Sequence, residues 1–205
     1  MRPEIKDLCR TLHEMGSDAE ECVSLLWTSF IYVSSTPLND CRKKMEHLKK
    51  SEPALTRELT KLAKDNPDVK PYVSAPVHFM RIAESIEKLA TCIEKVVKEN
   101  VLFSDRAIEE ITFLLQRLID LMRPTSDIIL ARNAILAKYV NESQSGIVRR
   151  ALEYATLHEE RMIQGICVPV ASPIYIRMLD EIKNIAWHAN EIAVKLTSNM
   201  ATSAR

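Results

Sequence analysis

Glycine is almost missing from this chain. Only Gly16, Gly146 and Gly165 occur among its 205 residues, and they lie far apart in the sequence. A glycine-rich phosphate loop, a dinucleotide-binding fingerprint and the G-x-S-x-G nucleophile turn each need at least two glycines within a few residues. The sequence therefore excludes these motifs, and with them most nucleotide-binding α/β enzymes.

Apolar residues recur at three- and four-residue steps along almost the whole chain, and no stretch shows sustained two-residue alternation. This spacing predicts amphipathic α-helices rather than strands. Stretches rich in proline and small polar residues divide the pattern into six predicted helical segments. They cover roughly residues 4–34, 38–65, 76–100, 104–146, 147–164 and 172–199.

A few residues mark where these segments begin, bend or end. Ser104 or Asp105 is a suitable N-cap for the fourth segment, and Gly165 is a suitable C-cap for the fifth. Ser172 is the predicted N-cap of the sixth segment. Pro124 lies inside the fourth segment, where its ring and missing N–H predict a kink or a split.

Two of the helical segments resemble each other in sequence. The stretch "VSAPVHFMRIAESIEKLATCIEKVV" (73–97) matches "VASPIYIRMLDEIKNIAWHANEIAV" (170–194) in its valine-x-x-proline start and in several later apolar positions. We therefore predict an all-α fold in which two three-helix repeats, 1–101 and 102–205, form one antiparallel bundle of up-and-down, spectrin-like helices in a single domain, 1–205.

Charge and cysteine content limit the function further. The chain has 28 basic and 28 acidic residues, so it lacks the basic excess typical of proteins that bind nucleic acid through its phosphates. Its five cysteines form no C-x-x-C pair, which favours reduced thiols in a cytosol. The longest apolar run, "CVSLLWTSFIYV", is too short to span a bilayer. We expect a soluble cytoplasmic protein that neither binds nucleic acid nor inserts into a membrane.

A helical bundle with acids and histidines suggests a ferritin-like di-iron site. That chemistry needs Glu-x-x-His on facing helices, so that a carboxylate and an imidazole reach one metal pair. None of the five histidines has an acid three positions before it. The sequence therefore argues against a di-iron oxidase.

Two surfaces are candidates for binding. The basic cluster, within "CRKKMEHLKK" (41–50), contains Arg42, Lys43, Lys44, Lys49 and Lys50. It suits an acidic partner or an anionic membrane surface, although a short charged stretch of this kind is more often a solvated helix face.

The second candidate surface is a polar stripe on the last helix. Glu181, Asn184, His188 and Glu191 follow three- and four-residue steps, which places them on one helix face. A metal, an anionic ligand, a partner helix or water are the alternatives for what this stripe contacts.

The last helix also carries a family resemblance. The stretches "IEKLATCIEKVVK" (86–98) and "IKNIAWHANEIAV" (182–194) resemble the signature helix of the PhoU family of phosphate-uptake regulators, whose pattern is approximately "LERIGDHAxNIAE". The resemblance implies a cytoplasmic regulator of phosphate transport that is not an enzyme. It also implies a homodimer and, as partners, a phosphate transporter or permease component and a sensor histidine kinase.

Some members of that family bind iron or zinc clusters through Glu/Asp-x-x-x-Asp motifs on the paired helices. In this sequence the first motif falls on Glu87 and Thr91 and the second on Lys183 and Trp187, so three of the four acids are replaced. His188 matches the family's histidine. We expect no metal cofactor here, and the candidate ligands for any metal are Glu84, Glu87, Asp180, Glu181 and His188.

The sequence thus predicts a non-enzymatic adaptor of phosphate transport and phosphate signalling that acts through protein–protein contacts. Trp187 stands where an acid would ligate metal, and an indole in that place fills space or forms a contact surface. A helical interaction module unrelated to phosphate and a metal-binding helical bundle are the alternatives. The predicted partner-binding residues are Arg42, Lys43, Lys44, Asn184, Trp187, His188 and Glu191.

Overall fold

The computed structural model describes residues 3–198, in which six α-helices and one short 3-10 helix account for nearly all of the chain. The α-helices are α1 (Pro3–Ile31), α2 (Thr36–Asp65), α3 (Ala75–Lys98), α4 (Asp105–Ala131), α5 (Ala134–Ile163) and α6 (Ser172–Thr197). The 3-10 helix, Pro67–Tyr72, joins α2 to α3. There is no strand within residues 3–198, and the predicted all-α class is confirmed.

Four helices form the centre of the bundle. α1 packs on α4, α3 packs on α6, and these two pairs contact each other through α1 with α3 and α4 with α6. The remaining helices lie outside: α2 covers α1 and α3, and α5 covers α4 and α6. Each outer helix thus rests on the two inner helices from its own half of the chain, while the division into repeats at residues 101 and 102 stays a prediction.

The core is the seam that the helical spacing predicts. Its largest fully buried side chains come from α1, α2, α3 and α6. Aliphatic residues dominate it, and removing their surface from water supplies the main driving force for assembly. No helix in the part of the chain described is long and apolar enough to cross a membrane.

Two helix ends follow the predicted local signals. The Ser104 hydroxyl accepts a hydrogen bond from the backbone N–H of Ala107 at 3.3 Å and so caps α4. Gly165 adopts a left-handed φ of 70° after α5. This lets the N–H of Ile166 bond back to the carbonyl of Arg161 at 2.9 Å, as glycine-terminated helices do.

The predicted boundary between the fourth and fifth helices is wrong. The chain turns at Arg132, whose φ is 46°, and the Asn133 side chain then caps α5 by accepting from the N–H of Ile135 at 2.7 Å. The polar stretch 141–146, which the prediction treated as a break, lies inside α5. It contains no proline, and weak helix formers are tolerated where a helix already packs at both ends.

Pro124 neither splits nor ends α4, which continues to Ala131. The hydroxyls of the two following residues, Thr125 and Ser126, donate to helix carbonyls four residues earlier at 2.8 and 3.1 Å. The carbonyl that Pro124 leaves without its helical donor is that of Asp120, which these hydroxyls do not reach.

The predicted cap of α6 is also wrong. Ala171, and not Ser172, is the residue before the first turn of α6. The Ser172 hydroxyl instead lies 2.8 Å from Nε2 of His158 on α5. A tertiary hydrogen bond therefore replaces the local one that the sequence suggests.

Gly16 sets the distance between α1 and α4. A Cβ atom built on Gly16 would lie 2.3 Å from Oγ and 2.9 Å from Cβ of Ser126. These separations are far inside van der Waals contact, so any side chain at this position requires the two helices to move apart.

Replacing Gly16 by alanine should therefore lower the free energy of unfolding by about 1–3 kcal/mol, the usual range for overpacking a tight core. Urea denaturation would measure the loss. In the Gly16→Ala background, Ser126→Ala should recover part of it because the closest atom, Oγ, is removed. If Gly16→Ala leaves the denaturation midpoint unchanged, the close crossing of α1 and α4 is incorrect.

Candidate functional site

The candidate site is the face shared by α3 and α6. The two helices run antiparallel, since His78 near the start of α3 meets His188 in the second half of α6, while Lys88 meets Glu181 further along. Small buried residues, Ala90 on α3 and Ala186 on α6, let the backbones approach closely. Polar side chains flank this seam and form the accessible surface, which we call the α3–α6 face.

A pair of histidines joins the two helices. Nδ1 of His78 lies 3.0 Å from Nδ1 of His188, and the ring centroids are 5.3 Å apart. One Nδ1 must donate its proton and the other must accept it with a lone pair. The pair therefore needs two complementary imidazoles, of which the accepting one is neutral.

His78 was not identified from the sequence, although the position of His78 near the start of α3 indicates which residue it contacts. In an antiparallel pair of matching helices, a residue near the start of one helix meets a residue near the end of the other. That rule pairs His78 with His188 once α3 and α6 are recognised as partners.

Trp187 packs on this pair and remains accessible. Its ring centroid lies 4.7 Å from that of His188 and 6.2 Å from that of His78, in edge-to-face geometry with both. About 48% of the residue is exposed. Edge-to-face contacts of this kind add stability beyond area burial, and the exposed remainder presents a large apolar surface.

The surroundings keep both imidazoles neutral near pH 7. Burial, together with the nearby His78 and Arg81 and against the opposing effect of Glu84, lowers the pKa of His188 to about 4. Burial also lowers the pKa of His78, against the opposing effect of Glu191. Neutral rings suit the hydrogen bond between them, since two imidazolium rings would have no lone pair to share.

The candidate metal ligands are not gathered into one ligand set. Glu84 accepts from Arg81 at 2.9 Å, Glu87 pairs with Lys49, and Asp180 pairs with Lys183 at 2.8 Å. Glu181 is buried and lies 3.5 Å from Nζ of Lys88. Within residues 3–198, no three His, Cys, Asp or Glu side chains are spaced to hold a metal ion. Each acid here has a cation of the same chain as its neighbour.

Thr91 and Trp187, at the last positions of the two motifs, make other contacts. The Thr91 hydroxyl donates to the carbonyl of Glu87 at 2.9 Å within α3. Trp187 packs on the histidine pair, as described above. Neither residue offers an anionic oxygen to a cation.

Most of the basic cluster holds α2 against its neighbours. Arg42 donates to Glu94 on α3 at 2.5 Å, and Lys44 lies 2.9 Å from both Asp18 and Glu21 on α1. Arg42 and Lys98 hold the pKa of the Glu94 carboxyl down to about 2.

Two members of the basic cluster remain exposed, and both pair within α2. Lys43 lies 3.2 Å from Asp40, and Lys50 lies 2.7 Å from Glu46. Lys49 is half-buried and reaches α3 through Glu87. The cluster therefore joins helices together more than it presents free positive charge.

The other predicted partner-binding residues lie on the α3–α6 face. Asn184 is exposed and donates to Glu181 at 3.3 Å, and Glu191 is half-buried. Together with Trp187 and His188 they form a continuous strip along α6.

A second polar cluster was not predicted. Glu110 on α4 is buried and accepts two hydrogen bonds from the Arg161 guanidinium at 3.0 and 2.7 Å. The Tyr175 hydroxyl donates to the same carboxylate at 2.5 Å. His158 stacks on Tyr175 with 4.5 Å between ring centroids and contacts Ser172 through Nε2. These bonds join α4, α5 and α6 at one end of the bundle.

Sequence reasoning missed this cluster because both charged residues look like surface residues. Glu110 follows the acidic residue Glu109 near the start of α4, and Arg161 ends the charged stretch 158–161. The available signal was that Glu110 falls on the same helical stripe as Ala107, Ile111 and Leu114, all of which are buried.

Comparisons with known proteins show similarity in structure alone. The crystal structure of PhoU from Pseudomonas aeruginosa is similar with a TM-score of 0.84 and 18% sequence identity, over 97% of this chain and 98% of that one. A PhoU-like protein from Shewanella oneidensis MR-1 is similar with a TM-score of 0.63 and 14% identity, over 95% and 99%. No family model and no curated protein sequence matches the chain. The predicted resemblance is therefore confirmed as a shared fold.

The histidine pair predicts a pH dependence of stability. The folded pKa of His188 is about 4 and the ordinary value is 6.5. Between these two pH values the unfolded chain therefore binds a proton at His188 that the folded chain does not bind. The contribution of this pair to the free energy of unfolding should be fully present above pH 6.5 and fall as the pH drops towards 4. The expected decrease is on the order of 1 kcal/mol once solvent screening is allowed for.

Urea denaturation at several pH values would measure this, with the double variant His78→Gln/His188→Gln as the reference. The difference between wild type and the variant isolates the pair from the carboxylates that titrate in the same range. Parallel pH profiles for the two proteins would contradict the assignment of buried, neutral imidazoles.

Proposed function

We propose that this protein is a non-enzymatic, cytoplasmic regulator of phosphate transport that acts by docking on other proteins. The observation that supports this most is the agreement of its fold with that of PhoU over almost the full length of both chains. The sequence resemblance of α3 and α6 to the PhoU signature helix points independently to the same pair of helices.

The docking surface in this proposal is the α3–α6 face. A half-exposed tryptophan on a rigid support is the kind of residue that dominates binding energy at protein interfaces. Trp187 is held in place by two imidazole rings, so little side-chain freedom is lost when a partner covers it. Asn184 and Glu191 supply the polar rim that such interfaces have around an aromatic centre.

The partners in this proposal are a phosphate transporter or permease component and a sensor histidine kinase, and the protein itself forms a homodimer. Regulation here requires no metal cluster. The acids of the α3–α6 face already pair with Arg81, Lys49, Lys183 and Lys88, so a cation would have to displace those partners before it could bind.

Deleting the gene should alter the rate of phosphate uptake and the expression of phosphate-responsive genes, and the wild-type gene should restore both. Trp187→Ala should fail to restore them, because losing a central aromatic contact weakens binding by about 2 kcal/mol, or roughly thirtyfold. Uptake of radioactive phosphate by the complemented cells is the measurement.

Ile135→Ala is the matched control, since Ile135 is an exposed apolar residue on a different helix. It should complement fully. An unchanged uptake rate in the deletion strain would remove the proposed role in phosphate transport. Full complementation by Trp187→Ala would leave that role standing and would exclude the α3–α6 face as the docking surface.

A further inference from the structure

A cleft of about 290 Å³ opens between α4 and α5. Its walls come from these two helices alone, so it is separate from the α3–α6 face. Phe113, Arg117 and Asp120 line it from α4, at three- and four-residue steps along one side of the helix. We call it the α4–α5 cleft.

α5 is much less buried than the helix on the other side of the cleft. Only four of the thirty residues of α5 are buried, whereas α4 buries thirteen of its twenty-seven. Ser143 and Gly146, which face α4 at the cleft, are too small to fill the space between the helices.

Gly146 is not explained by packing. A Cβ atom added there would meet no other atom within 4 Å, in contrast to Gly16 at the crossing of α1 and α4. Glycine in a helix interior is less stable than alanine because it loses more backbone freedom on folding. The residue therefore weakens α5 without relieving a clash, and its effect on the structure is to keep the cleft open.

The lining of the cleft carries an excess of positive charge. Arg117, Arg149 and Arg150 contribute three guanidinium groups against the single carboxylate of Asp120. Arg117 is held over the Phe113 ring, 5.3 Å from its centroid, and lies 3.7 Å from Asp120. This arrangement limits where its guanidinium can point.

The other two arginines lie on α5. Arg150 pairs with Glu153 at 2.8 Å on the same helix, and Arg149 makes no ion pair with any residue that the structure describes. The hydroxyls of Ser143 and Tyr139 lie among the lining residues and supply further hydrogen-bond donors.

We propose that the α4–α5 cleft binds a small phosphate monoester. The phosphate group lies among the three guanidinium groups, whose planar donors match phosphate oxygens in pairs. The organic part of the molecule lies against Phe113, Tyr139 and the buried Ile147. The volume of the cleft suits a small molecule rather than a chain segment.

Isothermal titration calorimetry on the full chain tests this with AMP, ribose 5-phosphate and inorganic phosphate, with succinate as a carboxylate control. We expect saturable binding of at least one of the two monoesters and weaker binding of succinate. Tighter binding of AMP than of ribose 5-phosphate would place the base on the aromatic wall, and equal binding would assign the affinity to the shared phosphate and sugar. Both results support the proposal.

Three variants locate the binding. Gly146→Leu places a side chain in the cleft and should abolish binding, while its Tm should not fall below that of the wild type because leucine is the better helix former. Arg149→Ala should weaken binding about tenfold, as the loss of a charge-assisted hydrogen bond does. Arg10→Ala removes an equally exposed arginine from α1 and should leave the affinity unchanged.

The proposal is overturned if neither monoester binds, or if Gly146→Leu binds as tightly as the wild type. It is also overturned if succinate binds as tightly as the monoesters, since the cleft would then not select phosphate. Equal losses of affinity in Arg149→Ala and Arg10→Ala would show that the binding is a general attraction by net charge. That result would contradict a site at this position.

Discussion

The close crossing of α1 and α4 determines the arrangement of the other helices. At Gly16 the absence of a side chain lets Ser126 approach to a distance that any other residue would forbid. Because each of these helices also contacts the inner helix of its own half, their separation fixes where α3 and α6 lie. The antiparallel contact of α3 with α6, which forms the candidate site, therefore depends on a glycine that lies on α1.

The two outer helices are held in different ways. α2 is joined to both of its neighbours by ion pairs in its first half, through Arg42 to α3 and Lys44 to α1. α5 is joined to its neighbours by the buried Glu110–Arg161 contact near its C-terminal end and by Asn141 bonded to Asn190 at 3.3 Å in its first half. An open cleft lies between α5 and α4.

Local patterns in the sequence predicted the helices and their main seams well. The apolar spacing, the Ser104 cap and the Gly165 end all act within a few residues, so they can be found without a structure. The errors arose where tertiary contacts override local preference. Ser172 bonds to His158 instead of capping its own helix, and Pro124 stays inside α4, which is packed against α1, α5 and α6. Part of the candidate site was predicted: helical spacing placed His188 on a polar face, and the resemblance singled out Trp187. His78 depended on knowing how α3 and α6 pair.

Trp187 stands where the sequence resemblance would put a metal-ligating acid, and we propose that its packing on the histidine pair replaces a metal site there. Elemental analysis of the protein, after incubation with Fe²⁺ or Zn²⁺ and desalting, tests this most directly. We expect substoichiometric metal, with the same content in wild type and in His188→Gln. One or more tightly held ions per chain, lost on replacing His188 or Glu87, would contradict the claim.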